Sequence, residues 1–258
     1  MTTHIDLASA HILSHGLLPK SGGEYVMFLQ GPENMESILE LQDKVIGALS
    51  EEEKSYLLEK KRAFFEKHFA NGNLVLGVAH DGQLIAQSVI LHPTVINPKT
   101  GMVDMELPAA PDKISLIQGV VVDPAYRGNM LMSRMVDGWL DIAKMCGRTH
   151  AIAEVTVENH FSWAVFLNEG MSIHSTGVDP NDGTQVYNIH SCVASLIKKR
   201  LCPDFNKAAA KDTTPVAAHD IETQKQLIKD GYEGVSYDPS KGIIGFKKPQ
   251  QKNKCPKI

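Results

Sequence analysis

The stretch that most constrains the fold is residues 114–170. It opens with Ile-Ser-Leu-Ile-Gln-Gly-Val-Val-Val over 114–122, a β-branched apolar run too short for an independent helix, which predicts a buried strand. Asp123-Pro124 ends the run, because proline lacks a backbone donor and restricts the residue before it. Arg127-Gly128-Asn129 then forms a short basic turn. Leu131, Met135, Leu140, Ile142 and Ala143 recur at helical spacing and predict a helix from about Met130. A strand that feeds a turn and then a helix presents unpaired N–H groups at the helix N-terminus, a place that suits phosphate.

Around this stretch the chain reads as alternating short elements. Residues 1–23 lead in, with 16–23 as loop, and the run 25–29 is the first expected strand. Asn34 is placed to cap an amphipathic helix carrying Met35, Ile38, Leu41, Val45 and Leu49. Ser50 with Glu53 is a capping-box pattern, predicting a second helix that runs to about Phe69 and stops at Asn71-Gly72-Asn73. Runs at 74–79 and 84–91 flank Asp81-Gly82, a strong hairpin signal. The connection 93–113 carries Pro93, Pro98, Pro108 and Pro111, and either lines an acceptor site or is plain surface loop. A second hairpin is expected about residues 179–183, and a short helix over 194–201. Residues 24–202 form the main domain, 203–219 a linker, 220–248 a small helix-plus-hairpin appendage, and 249–258 a polar tail.

Val122-Asp123-Pro124-Ala125-Tyr126-Arg127-Gly128 resembles the opening of the acetyl-CoA site in the GCN5-related N-acetyltransferase (GNAT) superfamily, written V-x-P-x-[YF]-[RQ]-G-x-G-x-[GA]. Val155-Thr156-Val157-Glu158-Asn159 looks like that family's next strand, which ends in asparagine. Residues 162–171, with Phe166 and Gly170, look like its following helix and exit. The resemblance covers roughly residues 24–191. It implies an α/β fold: a GNAT-like mixed, mostly antiparallel central sheet flanked by helices, with the small C-terminal α+β appendage. It also implies that the pantetheine arm of acetyl-CoA lies beside Val120, Val121 and Val122. The pyrophosphate would meet Arg127, Gly128, Asn129, Met130, Leu131 and Met132, and Asn159 and Phe166 would border the rest of the cofactor.

The departures from the family pattern bear on chemistry. Met130 and Met132 replace two loop glycines, the first of which normally lets the backbone approach the pyrophosphate. Phe166 stands where a proton-donating tyrosine is common, and Gln118 where a strand glutamate is common. Asn159 reads equally well as a helix cap. Amine acetylation needs a neutral amine, which is mostly protonated near its reference pKa, so a base is required. Glu154 and Glu106 are the candidate catalytic carboxylates.

The chain has 258 residues and a net charge of −4, against a general nucleic-acid binder. Its four cysteines show no C-x-x-C pair, and free thiols in a reducing cytosol are the simplest expectation. No metal-ligand spacing, secretory leader or membrane-length apolar run is present. The expected protein is a cytoplasmic acyl-CoA-dependent N-acetyltransferase that passes acetyl from acetyl-CoA directly to an amine, a small molecule or a peptide. It is expected to use no metal, nucleic acid or membrane, and is compatible with a homo-oligomer. The alternative is a catalytically silent acyl-CoA-binding sensor or scaffold of the same fold.

Overall fold

The computed structural model describes residues 4–7, 10–98, 106–179, 183–200 and 212–249. The chain divides into two compact units. The first holds Met1–His92 and Leu116–Asp141, the second Pro93–Ser115 and Ile142–Ile258.

The first unit is built on antiparallel strands in the order β1 (His11–Leu17), β2 (Glu24–Gln30), β3 (Leu74–His80), β4 (Gln83–Leu91) and β5 (Ile114–Val122). Alternation along the strands sends neighbouring residues to opposite faces. Phe28 and Val75 join Ile38, Leu41 and Val45 of α1 (Met35–Gly47) and Phe65 of α2 (Arg62–Ala70) in one buried cluster. Met27 and Leu76 face the other way, onto α3 (Leu131–Met145). There Gly138 permits close approach: a Cβ on it would stand 2.5 Å from Met27 Sδ. The β3–β4 turn is the expected Asp81-Gly82, both residues left-handed at φ 48° and 72°.

Three expectations fail here for physical reasons. Residues 11–17 form strand β1 rather than lead-in, but its pattern is mostly exposed and it is held by backbone pairing to β2, so no apolar alternation announces it. Asn34 makes no side-chain cap; a 3₁₀ turn, Pro32–Asn34, precedes α1 instead. The Ser50–Glu53 capping box does form, with Ser50 N–H donating to Glu53 Oε2 (2.9 Å) and Glu53 N–H to Ser50 Oγ (3.3 Å). It opens only a 3₁₀ turn, Glu53–Tyr56. The α-helix waits until Arg62, because buried Gln42 takes Lys60 by its backbone: Nε2 donates to Lys60 O (2.6 Å) and Oε1 accepts from Lys60 N–H (3.0 Å).

The second unit orders its antiparallel strands β6 (His150–Thr156), β8 (Gln185–Cys192), β7 (Ser172–Val178), β10 (Glu233–Asp238), β11 (Ile243–Lys247) and β9 (Thr214–Ala217). Its helices are α4 (His160–Asn168), α5 (Val193–Arg200) and α6 (Ile221–Lys229). Residues 214–217, expected as linker, are thus a strand, while 201–211 lie outside the described residues. Trp163 of α4 donates from Nε1 to Val157 O (2.7 Å) and packs edge-on against Tyr187 and Tyr237. The Tyr187 hydroxyl donates to Gln224 Oε1 (2.6 Å), and Gln224 Nε2 donates to the carbonyls of Ala217 and Ala218 (3.0 Å each). Arg148 donates to the carbonyls of Pro93, Pro111 and Ile114, pinning both ends of the proline-rich connection, whose residues 99–105 are outside the described set. Together the units form a mixed α/β protein whose sheets are largely antiparallel and flanked by helices, as expected.

Candidate active site

Residues 122–134, in the first unit, make the candidate donor loop. Strand β5 stops at Asp123, whose carboxylate accepts from Ala125 N–H (3.0 Å) and pairs with Lys44 Nζ of α1 (2.6 Å). Its side chain is 6% exposed, so the pair is half shielded and fixes the turn to α1. Asn129 fixes the other end. Its side chain is buried, its Oδ1 accepts from the N–H groups of Lys20 (2.8 Å) and Ser21 (3.1 Å), and its Nδ2 donates to Tyr126 O (2.9 Å). The β1–β2 turn is thereby stapled to the loop, and Lys20 Nζ reaches Arg127 O at 3.3 Å.

Just past Asn129, Met130 adopts φ 58°, the left-handed region that favours glycine. Met130 stands where the family pattern has glycine, in a backbone region that glycine favours. The first helical bond of α3 runs from Arg134 N–H to Met130 O (3.1 Å), so the N–H groups of Leu131, Met132 and Ser133 lie ahead of the ladder. Arg127 is exposed, and among the described residues its guanidinium makes no hydrogen bond or ion pair. Gly128 is exposed, Met130 protrudes with its side chain outward, Met132 is half-buried, and Leu131 is buried in the core.

Strand β5 carries a bulge beside this loop. Val89 of β4 pairs with Gln118 and Gln87 with Val121, so Gly119 and Val120 together oppose Ser88. Gly119 stands at φ 52°, and a Cβ there would meet Lys60 Nζ at 2.9 Å. Val120 and Val122 are half-buried and Val121 is buried. Lys60 is half-buried over the Phe64 ring (5.5 Å to the centroid), and burial pushes its pKa down. Among the described residues no carboxylate pairs with it. In the sequence Lys60 hides in Lys-Lys-Arg, a tract that reads as a solvated helix face; only the Gln42 contact singles it out.

The remaining sequence candidates lie in the second unit. Asn159 caps α4, its Oδ1 accepting from Ser162 N–H (3.2 Å). Phe166 is 2% exposed. Glu154 is half-buried on β6, opposite Asn188 of β8, and Glu106 is exposed in the proline-rich connection. The two carboxylates are therefore in different surroundings. A histidine ladder crosses three strands: His150 Nδ1 lies 2.9 Å from His190 Nε2, and His174 packs edge-on against His190. Burial, with the two neighbouring imidazoles, pushes His190 down to about 3, so His190 is neutral, and burial pushes His150 and His174 down as well, the latter against the nearby Glu233 carboxylate. Among the described residues no group of His, Cys, Asp and Glu could hold a metal, and no helix is long and apolar enough to cross a membrane. Cys192 is disulfide-bonded, which corrects the expectation of free thiols throughout; Cys146 is free and exposed.

The acetyltransferase (GNAT) family model matches residues 35–171, more than half of the chain, and the chain belongs to that family. A comparison with curated protein sequences found no match. Among solved structures, the GNAT domain of S. lividans PAT is 16% identical, with TM-score 0.51, covering 71% of this chain and 96% of its own. That likeness concerns the fold. Salmonella typhimurium yncA with its cofactor acetyl-CoA is 14% identical (TM-score 0.48; 66% and 94% covered). An N-acetyltransferase from Staphylococcus aureus is 13% identical (TM-score 0.48; 66% and 98%).

Proposed function

We propose that the chain is an acetyl-CoA-dependent N-acetyltransferase that passes the acetyl group directly to an amine. The observation that carries this is the left-handed backbone of Met130. It supports a loop still shaped for pyrophosphate although the glycine is lost, with the N–H groups of residues 131–133 free of the helical ladder and an exposed Arg127 that acts on Glu53 only at a distance and makes no hydrogen bond or ion pair among the described residues. On this reading Arg127 and the loop amides hold the diphosphate, and the N–H and C=O groups about Val120 and Val122 pair with the pantetheine arm as an added strand. Bound acetyl-CoA supplies the activated acyl group.

Acetyl-CoA is expected to raise the melting temperature, because a ligand that binds only the folded state stabilises it. Arg127→Ala is expected to weaken CoA by about 1–3 kcal/mol, the scale of a charged hydrogen bond. An unchanged affinity in a folded Arg127→Ala protein would reduce Arg127 to a turn residue, and no thermal shift at millimolar acetyl-CoA would remove the donor assignment. The second reading, a silent acyl-CoA-binding module, draws on Phe166, buried and without a proton to give. Binding without thiol release across an amine panel would favour it.

A further inference from the structure

Lys60 occupies a place that its stretch of sequence does not explain. Its backbone is gripped on both sides by the buried amide of Gln42, which breaks the chain out of helix for these residues. Its Nζ lies against Gly119, where the missing Cβ of a left-handed bulge leaves the room. An alanine at Gly119 would both strain the backbone and displace the ammonium. The groups around Nζ are the Phe64 ring and, one turn further along α2, His68, which stacks on Phe64 and bonds Leu74 O through Nε2 (2.9 Å). Burial pushes the His68 pKa down, against the backbone hydrogen bonds to Leu74 and Ile90 that raise it, and a Lys60 ammonium nearby pushes it the same way as burial. A lysine with no carboxylate partner among the described residues, set against an apolar ring, holds its proton loosely. The strand it touches is the one expected to carry the donor's acyl arm.

We propose that Lys60 is a catalytic residue of the acyl transfer, shuttling a proton between the acceptor amine and the departing sulfur at the β5 bulge. This rests on the acetyl-CoA reading above. Neutral Lys60 Nζ takes one proton from the acceptor ammonium. The freed lone pair attacks the thioester carbonyl carbon and the C–N bond forms. The nitrogen's second proton passes to water, the carbonyl re-forms, and the C–S bond breaks with its electron pair on sulfur. Lys60 returns its proton to that thiolate. The net change is ammonium plus thioester to amide, thiol and one proton released to solvent. This role answers a gap beside the β5 bulge: Gln118 cannot act as a base.

The test uses the full chain and two readouts. The first is competitive labelling with acetic anhydride across pH, read by mass spectrometry, with the exposed neighbour Lys61 as internal reference. Lys60 is expected to reach half-labelling at lower pH than Lys61, and acetyl-CoA is expected to protect Lys60 alone. The second is thiol release on an amine panel. Lys60→Met is expected to lose about 10²-fold or more in kcat, the range of general acid–base help, with the KM for acetyl-CoA little changed. Lys60→Arg stays charged and is expected to fail as well. Lys60→Cys alkylated with bromoethylamine, which restores a primary amine, is expected to recover activity. Lys61→Met is the control for a general loss of charge. Labelling of Lys60 that matches Lys61, or that ignores acetyl-CoA while acetyl-CoA still raises the melting temperature, overturns the proposal. So does full activity in Lys60→Arg. If acetyl-CoA gives no thermal shift, the donor reading fails first and takes this role with it.

Discussion

Asn129→Ala is the perturbation that most directly tests how the candidate donor loop is held. The side chain is 2% exposed and makes three hydrogen bonds, two accepted from the N–H groups of Lys20 and Ser21 and one given to Tyr126 O. Alanine removes all three and leaves two backbone donors and a carbonyl to find water in a partly closed place. At about 0.5–1.5 kcal/mol net per bond the loss is about 3 kcal/mol. For a chain of this size that lowers the melting temperature by roughly 6–12 °C. Asn129→Asp keeps the acceptor for both N–H groups and loses only the donor to Tyr126, so it should cost about 1–2 kcal/mol. The assay is urea denaturation followed by tryptophan fluorescence, with calorimetry to check the midpoint. A loss below about 0.5 kcal/mol in Asn129→Ala, the scatter of an ordinary surface change, would mean that the staple does not hold the turn.

Three further outcomes follow from the second unit. Phe166→Tyr places a hydroxyl at a site that is 2% exposed, and should cost about 1–3 kcal/mol without a kinetic gain; a faster enzyme of unchanged melting temperature would put Phe166 beside the thioester instead. His190, held down to about 3, binds fewer protons folded than unfolded, so its contribution to stability falls as pH drops from about 6.5 towards 3, at up to about 1.4 kcal/mol per pH unit. His190→Phe should flatten that part of the stability curve, and an identical pH dependence in the two proteins would refute the assignment. Gln224→Leu strips the Tyr187 hydroxyl and the carbonyls of Ala217 and Ala218 of their partner, and should cost about 2–4 kcal/mol in urea denaturation; a neutral result would mean that water replaces the amide.

What the sequence disclosed follows from where the determinants lie along the chain. Strand β5 was legible to its last residue, because Asp123-Pro124 is a local stop. The β3–β4 turn was legible because Asp-Gly is a local preference for left-handed backbone. Strand β1 was not, since an exposed edge held by main-chain pairing needs no apolar pattern. Helix α2 began later than its capping box announced, because Gln42, 18 residues away, competes for the backbone of Lys60. The candidate site divides in the same way. The loop motif was visible, while its supports Lys44, Lys20 and Lys60 come from segments whose partners lie far along the chain. Asn159 read equally as ligand and as cap, and in the fold its side chain is a cap.

The ring of contacts about Trp163 also has a consequence for synthesis on the ribosome. Trp163 packs on Tyr187 and Tyr237, and Tyr187 is tied to Gln224. Strand β10 begins to leave the ribosome about seventy residues after Trp163, a delay of roughly 4–14 s at ~5–20 residues per second. Until then Trp163 and the buried face of Ile173 lack the strand that covers them, β10, whose Gly234 pairs with Ile173. The nascent chain therefore passes through an interval with an uncovered aromatic face, during which a chaperone has something to hold. Synonymous codons that slow residues 200–240 would lengthen that interval without altering a single contact of the finished protein.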